Sequence, residues 1–181
     1  MDKKILLSTL WIFLVVNFIF YDVFGLSIGQ DRVYNSEKTF SIVPTEGWIN
    51  CSEGNNIIFA QKLTSFRDRY QENIQIEAFP GINMTLDELW ENYVIKDFPK
   101  SFENYKIKQT GKTNINGINA KSIEFTNTAH GQTFDNLVYI LVEKNIMYQI
   151  ICLAIEKDYK SVEREFKEMI NTFKIGKDAS R

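Results

Sequence analysis

Two long apolar runs, FDNLVYILVE at 134–143 and IMYQIICLAIE at 146–156, stand either side of Lys144-Asn145. They read as two strands of one hairpin. A strand with one wet face alternates apolar and polar residues; these scarcely alternate, so both faces are buried. Something must therefore cover each side of the hairpin, and that requirement narrows the possible folds.

The chain supplies two covers. From Asp158, the residues Tyr159, Val162, Phe166, Met169, Ile170 and Phe173 step by three or four, with Lys160, Glu163, Arg164, Glu165, Lys167 and Glu168 between them. That is an amphipathic helix with one apolar stripe. Earlier, Thr85 and Glu88 have the S/T-x-x-E spacing of a capping box, in which each side chain satisfies a free amide of the first turn. Leu86, Leu89, Trp90, Tyr93 and Phe98 then recur on one face, and Pro99 is placed to stop the helix.

Strands account for most of the rest. In TFSIVPTEGWINC, Phe40 and Ile42 face one way and Thr39, Ser41 and Val43 the other, Pro44 ends the strand, Gly47 closes a turn and Trp48 begins a return. The expectation is a hairpin with an aromatic lock. Further strands are expected at 57–63, 73–79, 105–110 and 121–126, with a turn at Asn116-Gly117, and the tail KIGKDASR is expected to hold a short strand and a frayed end. Strands outnumber helices and most links are too short for crossovers. The fold class is α+β, an antiparallel β-sheet with helices packed on it.

The N-terminus is different. MDKK precedes an apolar run from Ile5 to Phe20, and Gly25 and Ser27 supply small residues at the −3 and −1 positions of a potential cleavage site. Residues 1–27 read as a signal peptide or an N-terminal membrane anchor, a hydrophobic helix in either case. Lys3 and Lys4 hold the start of the chain inside, so residues 28–181 form one extracytoplasmic domain. If the segment is uncleaved, it provides the membrane contact.

The formal net charge of −2 removes the electrostatic case for nucleic acid, which needs a basic face. No phosphate loop, dinucleotide fingerprint, G-x-S-x-G, HExxH or EF-hand pattern occurs. The one histidine, His130, lies in the polar stretch NTAHGQT, far in sequence from any ligand-spaced partner. Cys51 and Cys152 are candidates for a disulfide outside the cytoplasm, and equally for two buried thiols. Asn83-Met84-Thr85 is a glycosylation sequon ahead of the first helix; Asn50 heads a second one within an expected strand. Catalytic, cofactor-binding and metal-binding sets are absent from the pattern. Phe66, Tyr70, Trp90, Tyr93 and Phe134 could line an apolar ligand or lipid cavity if they converge.

Taken in order, VYNSEKTFSIVPTEGW, TLDELWENYVIKDF, NYKIKQTGKTNINGINAKSIEFT, LVYILVEKNIMYQIICLAIE and FKEMINTFKI resemble the PsbP family, named after the extrinsic subunit of photosystem II. The resemblance implies a PsbP-like α/β/α sandwich over residues 33–175. It also implies a non-enzymatic role: members dock on protein complexes, and one branch binds a small GTPase. For photosynthetic members it implies calcium and chloride retention, so calcium enters by resemblance only; no ion-binding motif is matched here. The function expected is docking on a membrane-associated or envelope protein complex, with a small apolar ligand or lipid as the alternative.

Overall fold

The structure, a computed structural model, describes residues 31–62 and 70–176. The signal or anchor segment and Phe66 lie outside these residues. Among the described residues no helix is long and apolar enough to cross a membrane.

The strands are β1 (Val33–Tyr34), β2 (Phe40–Ile42), β3 (Trp48–Asn50), β4 (Ile57–Gln61), β5 (Asn73–Pro80), β6 (Glu103–Ile115), β7 (Ile118–Ala129), β8 (Gln132–Glu143), β9 (Ile146–Ile155) and β10 (Lys174–Ile175). The helices are α1 (Leu86–Leu89) and α2 (Tyr159–Ile170). Seven strands form an antiparallel sheet in the order β3-β4-β5-β9-β8-β7-β6. The apolar hairpin β8–β9 is near its middle, as its burial on both faces demands.

Three two-residue turns join β6 through β9. Ile115 pairs with Ile118, Ala129 with Gln132 and Glu143 with Ile146. All six turn residues have positive φ, from +48° at Asn116 to +89° at Gly117, the left-handed geometry that matches strand twist. Asn116-Gly117 takes this shape cheaply; Lys144 has no such freedom and is held there by the strands it joins.

One sheet face packs on α2 and on a small sheet, β1-β2-β10. Ile74, Ile76, Leu137, Leu141, Ile150 and Cys152 point to this side, meeting Phe40, Trp48, Phe166 and Phe173. The opposite face, with Ile123, Phe125, Val138, Ile140 and Met147, is covered by α1 and its continuation.

Two expectations are corrected. The stretch FSIVPTEGWINC is not a hairpin: β2 pairs with β1 and β10, while β3 enters the large sheet beside β4. After β2, the Val43 N–H donates to the Thr172 hydroxyl at 2.8 Å, so the chain leaves toward the C-terminal segment. The Trp48 ring does lock the core, 5.5 Å from Phe166. Nor is the first helix one regular α-helix. The capping box of Thr85 and Glu88 forms, but four α-helical residues pass into a π-helical turn, Trp90–Ile95, and a 3-10 turn, Phe98–Lys100. Pro99, lacking a donor, sits in the first part of that last turn.

Phe166 is fully buried among Trp48 and Tyr159. Phe166→Ala should lower the unfolding free energy by about 3–5 kcal/mol, and Phe166→Asp should prevent folding. Urea denaturation of the first variant and circular dichroism of the second check this; wild-type stability in either would displace α2 from the sheet.

Candidate functional site

The longest strand is also the least covered. β6 is an edge of the large sheet, and most of its residues from Glu103 to Asn114 are exposed. It carries Lys106, Lys108 and Lys112 against one acid, Glu103. Its register against β7 shifts twice, the second time between Ile107 and Gln109, which leaves Lys108 as an extra residue. A bulge of this kind re-aims a side chain. Here it turns Lys108 over the face carrying α2.

There the Lys108 ammonium meets both oxygens of Asp135, at 2.7 and 2.9 Å, and lies 3.7 Å from Glu124. It also stands 5.7 Å from the centre of the Tyr159 ring. Burial pulls its pKa down, but the hydrogen bond and charge of Asp135, helped by Glu124, leave it raised. Lys108 therefore stays charged. Asp135 is almost fully buried, and the pair gives its carboxylate a counter-ion. On α2, Glu163 accepts from Lys160 and Lys167, and these bonds hold its pKa down. Among the described residues the buried Tyr159 hydroxyl has no hydrogen-bond partner, and burial, then the nearby Glu124 charge, pushes its pKa up. The cluster places fixed charge beside β6 on the face that carries α2.

A second polar strip lies under the π-helical turn. Glu77 is opposite Gln149 in the β5–β9 register, on the face covered by Tyr93. The Glu77 carboxylate accepts from the Gln75 amide and, at 3.4 Å, from Asn56. Burial raises its pKa, and the Gln75 hydrogen bond only partly opposes that. The Tyr93 hydroxyl faces the Gln149 amide without making a well-formed bond; its pKa is pushed far up by burial. On the same face, Lys121 pairs with Asp87 at 2.6 Å and lies over the Trp90 ring at 5.4 Å, tying α1 to β7.

The candidates named from sequence are dispersed. Cys51 and Cys152 do not form a disulfide; both are free. Asn50 aligns with Phe59, Phe59 with Ile74 and Ile74 with Cys152, so three strand spacings, roughly 14 Å, separate the two. A disulfide needs Cα atoms within about 7 Å. Burial raises the pKa of both thiols, that of fully buried Cys152 most. His130 sits exposed in the β7–β8 turn, while Cys152 aligns with Leu137 well inside β8. Asn83 is exposed ahead of α1, and the Thr85 hydroxyl of its sequon is engaged with Glu88. The four described aromatic residues of the expected cavity do not converge. Tyr70 stacks edge-on against Phe134, whereas Trp90 and Tyr93 belong to the core around Ile140, some 20 Å further along β8. Among the described residues no three His, Cys, Asp or Glu side chains come together to hold a metal ion.

Sequence reasoning missed the Lys108–Asp135–Glu124 set. Lysines at 106, 108 and 112 hint at a guarded strand edge, but the bulge that turns Lys108 onto α2 leaves no mark in the residues themselves.

No family model and no curated protein matches this chain. Solved structures do. Cyanobacterial PsbP (CyanoP) from Synechocystis sp. PCC 6803 superposes with a TM-score of 0.57 at 12% identity, over 84% of this chain and 96% of that one. LpqN, involved in cell envelope biogenesis of Mycobacterium tuberculosis, gives 0.60 at 9% identity over 81% and 90%. The Ran-binding protein Mog1p of Saccharomyces cerevisiae gives 0.54 at 12% identity over 83% and 97%. The domain has the PsbP-like fold that these proteins share.

The raised pKa of Glu77 has a definite sign for stability. A carboxyl whose folded pKa lies above its unfolded value, about 4.3, favours the protonated folded state; that stability is complete below the unfolded value and is lost as pH rises through the folded one. Glu77→Gln should match the wild type in acid and be the more stable at neutral pH. Urea unfolding across that range checks it; parallel pH profiles would mean that Glu77 ionises as freely in the fold as outside it.

Proposed function

We propose that this chain is a non-enzymatic, extracytoplasmic PsbP-like domain that docks on a membrane-associated or envelope protein complex. The observation that carries this reading is the exposure of β6 along nearly its whole length at one edge of the large sheet. The charged groups near it are paired with one another, which suits a positioned surface better than a reaction centre.

The fold supports the reading. LpqN is described as involved in cell envelope biogenesis, which fits the leader-like segment at 1–27 of this chain. Mog1p is described as Ran-binding, so the same fold serves protein recognition where the partner is of another type. Calcium stays outside the proposal, because the resemblance supplied it without a ligand set. Dispersal of Tyr70, Trp90, Tyr93 and Phe134 gives the lipid-binding alternative no shared cavity to rest on.

Affinity purification of the tagged full-length chain from its native membranes, after mild cross-linking, should recover a defined protein complex. Recovery of bound lipid with no protein partner would replace docking by the ligand-binding reading.

A further inference from the structure

The hydrogen-bond pattern of the β6–β7 hairpin shows which backbone groups β6 leaves unused. With a two-residue turn at Asn116-Gly117, the closing pair Ile115–Ile118 exchanges hydrogen bonds, and every second pair after it does the same. Thr113, Gly111 and Gln109 therefore bond inward to Ala120, Ser122 and Glu124. Thr110, Lys112 and Asn114 point their N–H and C=O groups away from β7. Among the described residues no strand lies on that side. The opposite edge, β3, has three residues, against thirteen in β6.

We propose that β6 accepts an extended acidic segment of a partner protein as an added strand on the large sheet. This rests on the docking function above and names the partner's chemistry at that surface. Strand addition draws affinity from the main chain and specificity from alternate side chains. Thr110, Lys112 and Asn114 supply the main-chain groups across a regular stretch from Gln109 to Ile115. Charge selects the occupant. Lys106 and Lys112 are exposed on opposite faces of the strand, so acidic residues on either face of an incoming segment find a cation. A second copy of this chain is disfavoured, because two β6 strands side by side would set lysines against lysines. Ile107, 48% exposed, gives the incoming strand one apolar contact. Lys108 is already committed to Asp135, so it fixes the bulge and leaves recognition to its neighbours.

The test uses the full-length chain and a synthetic peptide of alternating glutamate and valine, with a lysine-for-glutamate peptide as control. The acidic peptide should bind and slow amide exchange at Thr110, Lys112 and Asn114; the basic one should not. Thr110→Pro removes only an outward-facing donor, a position where an edge strand tolerates proline, and should abolish binding while keeping all charges. Lys106→Glu with Lys112→Glu should weaken the acidic peptide about tenfold and bring in the basic one; this pair decides the matter if the proline variant does not fold. Equal binding of both peptides, or undiminished binding by a folded Thr110→Pro protein, overturns strand addition. In the membrane purification, a complex recovered equally with Thr110→Pro overturns β6 as the contact and leaves docking standing. Peptide binding without any recovered complex does the reverse.

Discussion

Burial of both faces of β8 and β9 is the constraint to which the other elements answer. A helix the length of α2, about 18 Å, cannot cover a sheet of seven strands alone. The small sheet β1-β2-β10 extends that layer and brings Phe40, Ile42 and Phe173 onto the same core. The other side is covered by a shorter, less regular segment whose reach comes from aromatic bulk: Trp90, Tyr93, Phe98 and Phe102. Departure of that segment from α-helical geometry is consistent with fitting large rings over a twisted surface.

Several polar groups inside this sandwich are handled in pairs, although, among the described residues, the Tyr93 and Tyr159 hydroxyls are not. Asn136 donates to Asn127 at 2.7 Å, Lys108 to Asp135, and Gln75 to Glu77. A buried carboxylate without a partner costs several kcal/mol. Asp135 meets that cost with a charge, Glu77 with a raised pKa. The two solutions suit their places: Asp135 lies near the edge, where a lysine can reach in from solvent, and Glu77 lies under a helical turn, where none does.

Much of this was legible in the chain. The paired apolar runs, the stripe from Tyr159 to Phe173 and the Thr85–Glu88 capping box each name an element, because each is a local pattern with a local cause. The strands at 103–115 and 118–129 read shorter in sequence, at 105–110 and 121–126, because most residues beyond those limits are polar or small and show no apolar alternation. The supposed hairpin at residues 40–51 failed for a different reason. Pro44 and Gly47 mark a turn, but not which sheet each flanking strand joins; β10, more than a hundred residues away, took the place beside β2. The electrostatic cluster at Lys108 depends on a bulge and on the approach of α2, both products of the finished fold.

The same long-range pairing has a kinetic side. β6 through β9 are linked by turns of two residues and can zip from neighbour to neighbour, whereas the β2–β10 ladder joins Phe40 to Ile175 across almost the entire domain. Closing so large a loop repays its entropy late. The terminal clasp should accordingly be the last unit to form and the first to open, and native-state hydrogen exchange should show its amides released below the free energy of global unfolding.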